Sequence, residues 1–221
     1  MRAYRGFRWG RLGRILAAAA ACLSLLALPG CLTDGSIPVG GGGGNGVLRG
    51  VVVHAGDPDL PYVGARVTVR KAGGPTYTAR CDARGEFEFS NVPDGILEAT
   101  FEGAEPAEAL PVRVTVQASY SSFSTIAIAL APAHMGADDV SAIAVVPRDV
   151  TVAAGKTVTF HAVITGGTSE RRVPTWIVEG GVGSITPRGV FTALRPGRGT
   201  VRALAGGVTD PVSVTVTDPG Q

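Results

Sequence analysis

The sequence has few of the residues from which active sites and metal centres are built. It contains three histidines in 221 residues, His54, His134 and His161, and they fall in three separate segments. No HExxH or CxxC spacing occurs, so no zinc site is indicated. Enzymes cluster acids, histidines or an activated nucleophile, and no such cluster is visible. We therefore expect no catalytic residues, no metal and no cofactor, and we interpret the histidines as solvated surface residues.

Cysteine is equally scarce, with residues only at positions 22, 31 and 81. Cys22 and Cys31 belong to the amino-terminal region, which leaves Cys81 alone in the rest of the chain. No disulfide within the folded part is expected, so an exported protein of this kind would obtain its stability from hydrophobic cores. A cysteine without a neighbouring histidine is usually a small packing residue, and we expect Cys81 to be one.

The first thirty residues contain no acidic residue. Arginines at positions 2, 5, 8, 11 and 14 precede the apolar run Ile15 to Leu28, which is the pattern of a signal peptide. Fourteen residues reach only about 21 Å as a helix, which is short for a membrane-spanning segment. We expect residues 1–30 to be a signal peptide and the mature protein to be exported.

No excess of basic residues remains once this segment is removed. The full chain has 20 basic and 18 acidic residues, and five of the basic residues lie before position 31. The mature chain would then carry 15 basic and 18 acidic residues, a net charge of −3. Nucleic-acid binding is therefore not expected.

The apolar run ends in Leu28-Pro29-Gly30-Cys31, which resembles the lipobox of bacterial lipoproteins. An aliphatic residue, a small residue and the obligatory cysteine are in place, although Pro29 is less usual. The resemblance implies cleavage before Cys31, lipidation of its thiol with diacylglycerol and palmitate, and a membrane-anchored protein. The alternative is an ordinary secretory signal in which Cys31 is incidental. Leu32 favours the outer membrane, facing the periplasm or the exterior, if the organism has two membranes.

Residues 32–46, LTDGSIPVGGGGGNG, have almost nothing to bury and contain five consecutive glycines. With Cys31 they are expected to form a flexible tether, residues 31–46, with an r.m.s. span of about 20 Å. It would hold the following domains away from the lipid surface.

From Val47 onward the pattern has period two, which predicts β-strands. The predicted strands of the first part are Ala65–Arg70, Gly85–Phe89, Val112–Val116 and Ile126–Leu130. Those of the second part are Val150–Val152, Thr157–Ile164, Thr175–Val178, Gly189–Ala193, Gly199–Ala203 and Pro211–Val216. We expect an all-β protein of two tandem β-sandwich domains, residues 47–131 and 140–218, joined by a linker at 132–139. Asp82–Gly85 has the composition of a tight hairpin, and Pro93-Asp94-Gly95 of a second turn.

The first domain resembles the carboxypeptidase regulatory-like domain, a transthyretin-like (prealbumin-like) β-sandwich. The likeness covers about 85 residues and depends on GVVV at 50–53, VGARVTV at 63–69 and CDARGEFEFSNVPDG at 81–95. Cys81 stands where the family usually has threonine. The family is an accessory module without the zinc ligands of the peptidases, so the likeness implies a fold and no chemistry.

The second domain resembles the group 2 bacterial immunoglobulin-like (Ig-like) domain, a module of bacterial adhesins. The matching residues are Val146-Pro147, Val150, Val152, Gly155–Val158, Trp176, Gly189–Leu194, Pro196-Gly197 and Gly199–Val201. Trp176 stands where such sandwiches bury an aromatic ring between their sheets. The charged segment Ser169–Pro174 departs from the family pattern.

Two groups of residues are candidate ligand contacts. Asp57 and Asp59 are closely spaced carboxylates that suit calcium, or else simple turn residues. Tyr62, Tyr77 and Tyr120 are candidate platforms for stacking on a sugar ring, because transthyretin-like folds overlap with carbohydrate-binding-like folds.

The leading hypothesis is a non-catalytic cell-surface lipoprotein that acts as a structural, adhesive or display module. Its partners would be the membrane, through the lipid, and a surface protein or glycan, through loops or sheet edges. A carbohydrate-binding accessory protein for a partner enzyme or uptake system is the alternative, and an enzyme of unknown type is a third reading.

Overall fold

A computed structural model describes residues 46–105, 108–120, 122–133, 139–168 and 173–220. The signal segment, Cys31 and almost all of the tether lie outside the described residues. So do His134 and most of the linker, and residues 169–172 of the charged segment before Trp176.

The described residues form seventeen β-strands and no α-helix. The first eight are β1 (Gly46–His54), β2 (Asp57–Pro61), β3 (Arg66–Lys71), β4 (Thr76–Arg80), β5 (Glu86–Val92), β6 (Gly95–Glu102), β7 (Val112–Ala118) and β8 (Phe123–Leu130). The others are β9 (Val140–Val146), β10 (Val150–Ala153), β11 (Thr157–Thr159), β12 (His161–Gly166), β13 (Thr175–Glu179), β14 (Gly183–Ile185), β15 (Val190–Ala193), β16 (Gly197–Ala205) and β17 (Val208–Thr217). The all-β fold class is confirmed. In this part of the chain there is no helix that could cross a bilayer.

The strands build four sheets, of which the largest runs through both halves of the chain. This shared sheet has the order β10-β17-β16-β13-β8-β1-β2, with β5 also paired to β1. An antiparallel sheet, β4-β3-β6-β7, belongs to the first half. Two smaller sheets, β11-β15-β14 and β12-β9, belong to the second half.

Strand β8 joins the halves, because it is bonded on one side to β1 and on the other to β13. The pairing with β1 is parallel from Val47↔Phe123 to His54↔Leu130. The pairing with β13 is antiparallel and includes Ile177↔Ile126. We call β1–β8 the first unit and β9–β17 the second unit. The domain boundaries expected from the sequence stay a prediction, and the hydrogen bonding is continuous between the units.

The two faces of the shared sheet supply two hydrophobic cores. Successive side chains of a strand point to opposite faces. Ile126 and Ile128 of β8, with Ile177 of β13, therefore lie in the first core, beneath the β4-β3-β6-β7 sheet. Ala127 and Trp176 lie in the second core, beneath the two smaller sheets. Trp176 is only 2% exposed, as its predicted place between the sheets requires.

The predicted strand Thr157–Ile164 is interrupted at Phe160. Its first part, β11, pairs with β15, and its second part, β12, pairs with β9. At the break, Phe160 N donates to Gly189 O at 2.8 Å, and the buried ring of Phe160 packs edge-on against Phe191. The predicted strand thus contributes to two sheets. Its period-two pattern does not predict the break between them.

The turn at Asp82–Gly85 forms as predicted, but the prediction that it joins two strands of a hairpin is wrong. Asp82 Oδ1 accepts hydrogen bonds from the backbone nitrogens of Arg84 and Glu86, both at 2.8 Å. Gly85 has a φ of 73°, and a Cβ there would lie 2.3 Å from Val52 O. The flanking strands β4 and β5 belong to different sheets, so this turn carries the chain between layers.

Gly50 provides a test of the β1–β8 contact. A Cβ at Gly50 would stand 1.9 Å from the carbonyl oxygen of Ile126 and 3.0 Å from the ring of Phe87. We expect Gly50→Ala to lower the free energy of unfolding by about 1–3 kcal/mol, because the strands must separate to accept the methyl group. The control is Gly56→Ala, where nothing lies within 4 Å; its effect should stay within about 0.5 kcal/mol. Equal urea midpoints for the two variants would contradict the close approach.

Candidate functional site at the junction of the two units

The exposed edge of β7 is closed by side chains from neighbouring strands. The carbonyl oxygen of Thr115 accepts from the guanidinium of Arg202 on β16. Gln117 N donates to Glu179 Oε1 on β13 at 2.7 Å, and Gln117 O accepts from Ser124 Oγ on β8 at 2.9 Å. Unpaired backbone groups on an edge strand normally invite pairing with another chain. Here the bonds of Thr115 O and Gln117 N tie the first unit to the second, and the bond from Ser124 holds β7 against β8 within the first unit.

Glu179 and Arg202 also form an ion pair at the centre of this junction. The nitrogen–oxygen distance is 3.4 Å, and the two side chains are only 20% and 18% exposed. A partly buried pair is stable when its remaining hydrogen-bonding groups are satisfied. The backbone of β7 supplies such partners to both residues. We call these side chains, with the β7 backbone groups they bind, the junction cluster.

A second link between the units joins Asp59 of β2 to Arg188, in the turn between β14 and β15. Arg188 Nε donates to Asp59 Oδ1 at 2.8 Å, and Arg188 Nη2 contacts Asp59 Oδ2. This hydrogen bonding holds the pKa of Asp59 below its usual value and raises the pKa of Arg188. Both side chains are more than half exposed, so the pair contributes little to the free energy of unfolding.

The same pairing bears on the cation site expected at Asp57 and Asp59. Both oxygens of Asp59 face a guanidinium, and Asp57 Oδ1 accepts from Asp59 N at 3.0 Å. These residues lie in a strand instead of the expected loop. Among the described residues there is no group of three or more His, Cys, Asp or Glu side chains placed to hold a metal.

The three candidate tyrosines do not form one site. Tyr62 is 4% exposed, and its ring stacks on His54 with 4.2 Å between centroids. Burial, with a smaller contribution from the nearby carboxylate of Glu108, raises the pKa of Tyr62 to about 12. The expectation of an exposed sugar platform at Tyr62 is therefore wrong. Tyr77 packs half-buried against the first core, whereas Tyr120 is 61% exposed.

The remaining polar candidates from the sequence divide between core and surface. Cys81 is buried in the first core, as expected for a packing residue. His161 is exposed as expected, and His54 is half-buried beneath Tyr62, which differs from the solvated position predicted for it.

A group that the sequence did not indicate surrounds Phe123 at the start of β8. The guanidinium carbon of Arg49 lies 4.8 Å from the centroid of this ring, and that of Arg195 lies 5.2 Å from it. Such contacts are attractive cation–π interactions. The three residues come from three distant segments of the chain, so no local sequence motif predicts this group.

A shallow cavity of about 420 Å³ also lies between the units. Its lining is largely apolar and includes Leu110, Ala129 and Leu204, with Arg113 as its charged residue. The described residues that line the cavity therefore offer an apolar surface and no group that could carry out acid–base chemistry.

No protein-family model matches the chain, and no curated protein sequence matches it. Among solved structures, the chain is similar to the TIE protein of Bacillus anthracis, with 11% identity and a TM-score of 0.33 over 80% of this chain and 33% of that one. It is also similar to domains 4 and 5 of the S-layer protein SbsC, with 17% identity and a TM-score of 0.25 over 58% of this chain and 68% of that one. The immunoglobulin domains 1–4 of Sidekick-1 give 12% identity and a TM-score of 0.23 over 82% of this chain and 51% of that one. The chain thus spans about a third of the TIE protein, and these TM-scores lie below those of a shared overall fold.

The junction cluster leads to a prediction about stability. We expect Arg202→Ala to lower the free energy of unfolding by about 2 kcal/mol, because it leaves the partly buried Glu179 without its cation and Thr115 O without its donor. The matched control is Arg70→Ala. Its ion pair with Glu98 has the same 3.4 Å distance, but its side chains are 58% and 42% exposed.

For Arg70→Ala we expect a loss of at most about 1 kcal/mol, the usual value of an exposed pair. Chemical unfolding of both variants measures the difference. If the two losses are equal, the junction cluster does not hold the units together.

Proposed function

We propose that the chain is a non-catalytic cell-surface lipoprotein whose described residues form a rigid structural or display module. The observation that carries the proposal is the double pairing of β8 with β1 and β13. The junction cluster and the Asp59–Arg188 link add side-chain connections between the same two units. Such a module holds its distant loops at a fixed separation from Gly46, where β1 begins.

The point of attachment in this proposal is Cys31, fifteen residues before Gly46, where β1 begins. The nine residues of β1 span about 30 Å. The loops beyond His54 would therefore be held at least this far from the start of the sheet. They are the surface from which an adhesive or display contact would be made.

Lipidation is tested with Cys31→Ser. We expect the unaltered protein to incorporate labelled palmitate and to lose its signal segment, and we expect Cys31→Ser to do neither. Cys22→Ser is the control, because Cys22 lies inside the segment that is removed; it should be labelled and cleaved normally. An unaltered protein without label would refute the anchor.

Glycan binding as an accessory to a partner enzyme or uptake system is the second candidate function, and the exposed ring of Tyr120 favours it. On a glycan array, Tyr120→Ala should abolish binding. Tyr62→Phe should preserve it, because that ring is buried. Binding that persists in Tyr120→Ala would exclude this ring as the platform.

A further inference from the structure

The strand registers bring several separate loops to one end of the shared sheet, the end at which the chain enters at Gly46. Gly46 pairs with Val92, and Val47 pairs with Phe123. The same end contains the start of β6, the end of β13 and the start of β16. We call this region, with the loops around Asp94, Tyr120, Gly181 and Arg195, the tether end.

Large apolar side chains are exposed at the tether end. Ile96 is 67% exposed at the start of β6, and Tyr120 is 61% exposed in the turn before β8. Leu194, 43% exposed, follows β15. An amphipathic tyrosine ring and aliphatic side chains are suited to the boundary between lipid headgroups and acyl chains.

Basic side chains lie at the same end. They are Arg49, Lys71, Lys156, Arg195 and Arg198, against the acidic residues Glu88, Asp94 and Asp218. Glu179, at the end of β13, is neutralised by its ion pair with Arg202. None of the four ion pairs found among the described residues includes any of these five basic side chains. Because Arg49 and Arg195 share the ring of Phe123, their guanidinium carbons are at most about 10 Å apart. The tether end therefore presents a concentrated positive charge.

The opposite end of the sheet has the reverse balance. Its acidic residues include Asp57, Asp59, Asp82, Glu102, Glu105, Glu108 and Asp139, against Arg66, Arg80, Arg84, Arg113 and Arg188. The exposed apolar residues there, Leu60 and Val63, lie next to this acidic group. A negatively charged surface would thus attract the tether end and repel the other end.

We propose that the tether end docks on a membrane surface of anionic lipids, with its arginines against the headgroup phosphates and Ile96, Tyr120 and Leu194 in the headgroup layer. This proposal rests on the proposed lipidation of Cys31. The fifteen Cα–Cα steps from Cys31 to Gly46 reach at most about 54 Å, and this segment joins the module at this end. Tethering keeps the local lipid concentration high, so a weak contact is sufficient to orient the module.

The test uses the chain from residue 32, which lacks the lipidated cysteine and keeps every described residue. Both hydrophobic cores consist of residues from Leu48 onward, so this chain retains them complete. Sedimentation with phosphatidylcholine vesicles, with and without about 30% phosphatidylglycerol, measures binding to an anionic surface. We expect binding to the anionic vesicles alone, and its loss at about 0.5 M salt, where charges are screened.

Charge reversals at the two ends separate local docking from net charge. Arg195→Glu with Arg198→Glu should weaken vesicle binding by at least about fivefold for each residue. Arg84→Glu with Arg113→Glu changes the net charge equally at other positions, so it should bind as the unaltered chain does. Ile96→Ser with Tyr120→Ser should also weaken binding. Circular dichroism confirms that each variant is folded.

Equal binding to neutral and anionic vesicles would overturn the proposal, as would equal losses in the two charge-reversal variants. A third contrary result is binding to soluble dextran sulfate that is as strong as vesicle binding and is unchanged by Ile96→Ser with Tyr120→Ser. The last would mean a general polyanion patch. The test chain carries no lipid, so a failure to bind vesicles does not bear on lipidation. A labelled Cys31 would then anchor the protein without docking of the module. Absence of palmitate with intact vesicle binding would remove the anchor and leave the docking surface.

Discussion

The structure depends on one strand that is hydrogen-bonded on both sides to strands of different units. β8 pairs with β1 along its whole length and with β13 at its centre. Its alternate side chains therefore enter two cores, Ile126 and Ile128 on one face and Ala127 on the other. A shift of one residue would exchange the two sets. Large side chains would then stand where the second core accepts only alanine, so the register of β8 fixes both cores at once.

The junction cluster follows from this arrangement. Once β8 and β13 are adjacent, the edge of β7 lies beside β13 and β16, and its backbone groups need partners there. Strand pairing is unavailable, because β8 and β13 are already bonded on both sides. Side chains of suitable length supply the bonds instead: Glu179 reaches Gln117 N, and Arg202 reaches Thr115 O. These side chains thus bond to backbone groups of β7 that have no strand partner at the junction.

The sequence predicted the strands better than their partners. Alternation at Arg66–Arg70 and Val112–Val116 predicts a strand with one buried face, and Val67, Val69, Val114 and Val116 are buried. Alternation does not state which strand lies alongside. One signal was available at β8, where the almost wholly apolar run Ile126–Leu130 is typical of a strand covered on both faces. Tyr62 was predicted less well: its position after a proline indicates an exposed loop, whereas the ring packs into the first core and stacks on His54.

The strand at which the described part of the chain begins matters mechanically for the proposed attachment. β1 is an interior strand, with β8 on one side and β5 and β2 on the other. Any displacement of Gly46 is therefore carried by the eight residue pairs between β1 and β8 and by the β5 ladder. From β8 it passes directly to β13 and so to the second unit. An edge strand such as β10 has only one four-pair ladder to carry such a displacement. If the chain is attached at Cys31 as proposed, its entry through the centre of the shared sheet would make both units move together.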